Sequence, residues 1–95
     1  MNVFISVDWE GIAGLVSWAQ EKEDNFRARK LMTGEVNAAV EGAIAAGAER
    51  ILVNDSHGAM RNILIEDLDP RVELLSGGLK EWSMVAGVQQ NMDAA

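Results

Sequence analysis

The sequence predicts an α/β layered fold with a mainly parallel sheet, and three observations carry that expectation. Residues 2–7 and 50–54 are short aliphatic runs with almost no polar alternation, the pattern of strands covered on both faces. Between them, apolar residues recur at helical spacing. A third short run at 72–75 is followed by a second helical pattern. Strand, helix, strand, connection, strand, helix is the order of parallel-sheet architectures.

In chain order, the first strand is bounded by Asp8 and Gly11. Residues 11–25 show no clear period and read as a long connection. Phe26, Leu31, Val36, Val40, Ala43 and Ile44 then mark a helix that opens near Asn25 or Thr33, with Gly47 at the place of a C-terminal cap. The second strand runs into the polar cluster Asp55-Ser56-His57-Gly58. Residues 61–68 read as a short helical connection stopped by Pro70, and the third strand is closed by Ser76-Gly77-Gly78. Residues 80–90 read as a helix with Trp82, Met84, Val85 and Val88 among its apolar positions. Right-handed crossovers place the first two strands side by side or one apart. A further strand is expected after this helix, so the chain reads as incomplete. No internal repeat is present.

Composition removes several function classes. With 95 residues the chain is one domain or a piece of one. A chain of this size buries about 65% of its extended surface and is modestly stable. A hydrophobic fraction of 48% fits a globular protein. The net charge of −7 and the absence of a basic cluster argue against nucleic acid as a partner. Having no cysteine, the chain offers neither disulfides nor thiolate ligands, so any metal must sit on carboxylate, imidazole or other oxygen groups. No run approaches the roughly 20 apolar residues of a membrane span. The N-terminus lacks a basic segment followed by a long apolar one, so it does not read as a secretory signal, and the expected location is cytoplasmic.

Two clusters carry candidate chemistry. Asp8 and Glu10 lie two apart at the end of the first strand, so in an extended segment both carboxylates face one spot. Two anions held that close repel, and a zinc, manganese or magnesium ion would relieve the repulsion. The plainer reading is a pair of surface acids capping a turn or a helix. His57, the one histidine of the chain, stands at the end of the second strand. Asp55, two residues earlier, either orients the imidazole or caps the next turn. Asp-Ser-His-Gly is also ordinary loop chemistry. The joint case is stronger, because ligands in open α/β sheets bind beyond the carboxyl ends of strands. Two carboxylates and an imidazole form a donor set that suits zinc, with a position left open for water.

Other features are weaker. The tryptophans Trp9, Trp18 and Trp82 read as core or interface residues or as a pocket lining, and the scattered methionines as core filler. Arg27, Arg29 and Lys30 read as a solvated helix face or as holders of an anionic group. Asp8-Trp9-Glu10 lacks the second aspartate of a phosphatase-like magnesium pocket, and no P-loop or nucleophile elbow is present.

Three ordered segments, SVDWEGIAG at 6–14, VNDSH at 53–57 and LLSGGLKEWSMVAG at 74–87, resemble the DppA-type zinc-dependent D-aminopeptidase family. The resemblance runs over essentially the whole chain. It implies that Asp8, Glu10 and His57 are zinc ligands, with Asp8 bridging two ions. It also implies two Zn2+ per complete subunit and release of N-terminal D-amino acids from short peptides or amides. The family forms a ring-shaped homo-oligomer, usually a decamer. Its remaining histidine and glutamate ligands and its catalytic histidine lie in sequence not present here, so no catalytic residue is expected within this chain. Residues 1–95 then read as the truncated N-terminal part of a single α/β metallopeptidase domain. The alternative from a different class is a non-catalytic α/β module that uses the same residues for metal binding or assembly.

Overall fold

The computed structural model describes residues 1–95. It contains strand β1 (Asn2–Val7), helix α1 (Ala19–Glu23), helix α2 (Asn25–Ala45), strand β2 (Arg50–Asp55) and strand β3 (Glu73–Leu75). The three strands form one parallel sheet in the order β1-β2-β3, so the expected α/β class is observed and the first two strands are neighbours. The pairing register sets Val7 opposite Asp55, which brings the carboxyl ends of β1 and β2 level with each other. Residues 93 and 94 run along the other edge of β1, where the Phe4 amide donates to the Ala94 carbonyl at 2.8 Å.

Side-chain alternation along the strands divides the core into two layers. Val7, Ile51 and Val53 pack with Ala28, Met32, Val36 and Val40 of α2, and all are buried. Phe4 and Leu52 occupy alternate positions and are equally buried. Their face is covered by residues 83–87, where Asn54 Nδ2 donates to the Ser83 carbonyl at 2.8 Å and Ser6 Oγ donates to the Met84 carbonyl at 2.6 Å.

This cover is not the helix that the apolar spacing at 80–90 predicts. Only a 3-10 turn at Ser83–Val85 forms, and Trp82, Ser83 and Gly87 have positive φ. The reason is tertiary. The carbonyls of Ser83, Met84 and Ala86 accept hydrogen bonds from side chains of β1 and β2, and Gly87 lies directly on the sheet. A Cβ at Gly87 would stand 2.5 Å from Leu52 Cδ2 and 3.0 Å from Leu75 Cδ1, with φ at +100° besides.

Other differences are local. α2 begins at Asn25 and not at Thr33, which lies inside the helix and is buried. Its hydroxyl donates to the Arg29 carbonyl at 2.8 Å and accepts the Leu64 amide at 3.0 Å. Phe26 is 63% exposed and takes no part in the helix's buried stripe. Gly47 follows the helix with φ +100°, the left-handed residue expected after a C-cap. Residues 61–68 form turns and no helix. They are held by side chains of α2: Asn37 donates to the Asp67 carbonyl and accepts the Asp69 amide, both at 2.8 Å. The residues read as an unbroken connection at 11–25 contain the five-residue α1. No helix of the chain is long and apolar enough to cross a membrane.

Asp69 ties the turn around Pro70 to the same helix. Its carboxylate accepts from the Arg71 guanidinium and amide, and Arg71 also pairs with Glu41 on α2. The side-chain bonds from Arg71, then its backbone bond, hold the Asp69 carboxyl at about 2 against an ordinary 3.8. A depressed carboxylate stabilises the fold above its ordinary value and loses that contribution as pH falls toward the folded one. Carboxyl-carbon NMR should therefore show Asp69 titrating near 2, and Arg71→Gln should move the midpoint toward 3.8.

Candidate metal centre

The site begins where β1 and β2 end. The Ser56 amide donates to the Val7 carbonyl at 2.8 Å, extending the ladder one step beyond the strands and placing His57 beside Asp8. His57 Nδ1 lies 3.0 Å from Asp8 Oδ1 and 3.6 Å from Glu10 Oε2. One ligand atom each from Asp8, Glu10 and His57 falls within 4.8 Å of the others. The three residues singled out in the sequence are thus brought together by the fold.

Trp9 explains why both neighbouring carboxylates point outward. Its indole is 3% exposed, sits in the apolar cluster with Val7, Leu15 and Met32, and stacks on the His57 ring with centroids 5.6 Å apart and planes at 23°. The chain bends at Trp9 just past the end of β1, and with the indole buried inward the side chains of Asp8 and Glu10 stay partly exposed. Of the three tryptophans, Trp9 is therefore a core residue that also supports the imidazole, whereas Trp18 and Trp82 are exposed.

The turn carrying His57 is pinned by Asp55. Its fully buried carboxylate accepts the Asn62 amide at 2.5 Å, the Ile63 amide at 2.8 Å and Asn62 Nδ2 at 2.9 Å. Asn62 Nδ2 also donates to the His57 carbonyl at 2.7 Å, and Arg29 Nε donates to the Asn62 carbonyl at 3.0 Å. Of the two roles open to Asp55 from sequence, it takes the turn-capping one; the imidazole faces Asp8 instead. Lys80 caps the end of β2, donating to Asn54 Oδ1 and the Asp55 carbonyl. Burial lowers the Lys80 pKa, and attraction to Asp55 opposes that shift.

The donor set suits zinc. Two ligand atoms on one tetrahedral zinc stand about 3.3 Å apart; the two separations from His57 Nδ1, 3.0 and 3.6 Å, bracket that value, and all three ligand atoms lie within 4.8 Å of one another. Asp8, Glu10 and His57 all keep side-chain exposure, at 38%, 56% and 14%, so the cluster opens to solvent on one side. A cavity of about 450 Å³ adjoins it, lined by Glu10, Trp18, Glu21, Lys22, His57 and Gly58. The roomiest cavity, about 720 Å³, lies elsewhere, along the outer face of α2 by Arg27, Lys30 and Glu35.

Sequence reasoning missed Glu21 and Asn62. Each reaches His57 through contacts between residues distant in sequence, with no local periodicity to reveal it. The clustered polar residues at 54–58 gave a partial signal for Asn62, because buried carboxylates such as Asp55 require donors.

A parallel α/β sheet with two carboxylates and an imidazole beyond adjacent strand ends restricts the class of protein, and comparison with known proteins narrows it. The family model for D-aminopeptidase matches residues 1–95. A D-aminopeptidase of Bacillus subtilis (strain 168) is 39% identical over 98 residues, an alignment covering 100% of this chain and 36% of that protein. The solved structure of a Zn-dependent D-aminopeptidase, DppA from Bacillus subtilis, described as a self-compartmentalizing protease, superimposes with a TM-score of 0.85 at 40% identity. That match covers 92% of this chain and 33% of the DppA chain. The chain belongs to the D-aminopeptidase family and spans about a third of the length of these relatives.

Proposed function

We propose that this chain supplies part of the metal centre of a zinc-dependent aminopeptidase that releases N-terminal D-amino acids from short peptides or amides. The observation that carries the reading is the convergence of Asp8, Glu10 and His57 ligand atoms within 4.8 Å at the carboxyl ends of β1 and β2. Family membership over residues 1–95 and the zinc dependence of the B. subtilis relative support it. Residues 1–95 then form the N-terminal part of a single metallopeptidase domain, consistent with coverage of 36% and 33% of the relatives.

Zinc bound here would supply Lewis-acid chemistry, polarising the scissile carbonyl and activating a water near neutral pH. The chain's own residues do the holding. Asp8 and Glu10 would hold the metal through their anionic oxygens, and by family resemblance Asp8 would serve two ions in a complete subunit. His57 contributes a neutral nitrogen donor whose ring is kept in place by Trp9. The cavity beside Glu10 and His57 leaves the cluster open to a substrate. A ring-shaped homo-oligomer, a decamer by family resemblance, and a cytoplasmic setting complete the reading; the self-compartmentalizing character of the relative supports the former.

The test uses the full reading frame that encodes this chain, assayed on D-Ala-D-Ala and on its L,L enantiomer. D-Alanine release should disappear on chelation, return with zinc, and greatly exceed release from the L,L peptide. Full activity in a chelated protein that holds no zinc would sink the proposal.

A further inference from the structure

We infer that Glu21 is a positioning residue for the metal centre, accepting the Nε2 proton of His57 and so presenting Nδ1 to the metal. The inference rests on the zinc reading of Asp8, Glu10 and His57 and deepens it. Nδ1 is the ring atom that faces both carboxylates, at 3.0 Å from Asp8 and 3.6 Å from Glu10. Ligation through Nδ1 places the ring proton on Nε2. That atom is buried and has no hydrogen-bond partner. The one charged group facing it is Glu21, whose Oε1 stands 3.4 Å away. A metal-bound histidine characteristically donates its other N–H to a carboxylate or carbonyl, which sets the tautomer and raises ligand basicity.

Gln20 holds Glu21 at this place. α1 has no buried residue, and its neighbour Gln20 anchors it instead. Gln20 Oε1 accepts the Val16 and Ser17 amides at 2.7 and 2.9 Å, and its Nε2 donates to the Gly14 carbonyl at 2.9 Å. On the other side lies Gly58, where a Cβ would stand 4.0 Å from Glu21 Oε1, an ordinary contact distance. Glu21 also lines the cavity beside Glu10 and His57, together with Lys22. Glu21 is half-exposed, and a side-chain rotation is what would turn the 3.4 Å contact into a hydrogen bond on metal binding.

The experiment measures zinc affinity by titration calorimetry for the parent, Glu21→Ala, Glu21→Gln and His57→Ala in the full reading frame. It adds the imidazole nitrogen-15 spectrum of the zinc-loaded parent, with His57 assigned through the loss of its signals in His57→Ala. The parent should show a coordinated Nδ1 and a protonated Nε2. Glu21→Ala should weaken zinc binding about 10- to 100-fold, and Glu21→Gln, which keeps an acceptor, should recover most of it. Coordination through Nε2 in the parent, or affinity of Glu21→Ala within twofold of the parent, overturns the assignment of Glu21. If His57→Ala also leaves affinity unchanged, the zinc reading itself has failed. A loss in His57→Ala alone refutes only the role of Glu21.

Discussion

Replacing His57 by alanine should weaken zinc binding by more than about 100-fold, beyond the range expected for residues that only support a ligand. His57 Nδ1 is the shared neighbour of both carboxylates, at 3.0 and 3.6 Å, so its loss removes the donor around which the cluster is arranged. Asp8 and Glu10 would remain as two partly exposed anions with no nitrogen donor between them. Asp8→Asn should also lower zinc content, since it keeps the side-chain volume but removes one of the charges that favour a divalent ion. Elemental analysis of metal per chain reads both variants. Parental zinc content in His57→Ala would remove this residue from the site.

Asp55→Ala should cost about 3–5 kcal/mol of folding stability, a large part of the 5–15 kcal/mol available to a typical domain. The carboxylate is fully buried and accepts three hydrogen bonds, two of them from the Asn62 and Ile63 backbone amides. Truncation leaves the two backbone amides without their acceptor, while Asn62 Nδ2 keeps the His57 carbonyl, and each buried unsatisfied group costs about 1–3 kcal/mol. Asp55→Asn keeps one acceptor oxygen and should fall between parent and alanine variant. Urea unfolding reads the effect as a lower midpoint at unchanged slope. Because the same turn carries His57, the alanine variant should bind zinc more weakly as well. A midpoint within experimental error of the parent would show that the turn is held by other contacts.

The two predictions separate what could be read locally from what could not. His57 and the acidic pair were legible because strand ends in a parallel sheet share one edge, and residues 8 and 10 directly follow the first of those ends. Asp55 was visible as a candidate, but its choice between orienting the imidazole and capping the turn depended on where residues 62 and 63 fold back. Glu21 left no signal. α1 has five residues and no buried position, too short and too polar to show a helical stripe, and it is held by the Gln20 side chain.

The apolar spacing at 80–90 shows the opposite error. A helical period is present, yet the segment's carbonyls bond to Ser6 and Asn54 and Gly87 lies against Leu52 and Leu75. Contacts with the sheet outweighed local propensity, which is worth less than about 1 kcal/mol per residue.

By itself the sequence determined the α/β class, the positions of β1, β2 and α2, and the acidic and imidazole groups available for chemistry. These follow from hydrophobic period and residue type, which act over a few neighbours. Only the tertiary structure decided that Val7 pairs with Asp55, that Trp9 is the platform under His57, and that Nδ1 faces the carboxylates while Nε2 faces Glu21. Those outcomes depend on strand register and on how distant side chains share a small buried space, neither of which is encoded within any one segment.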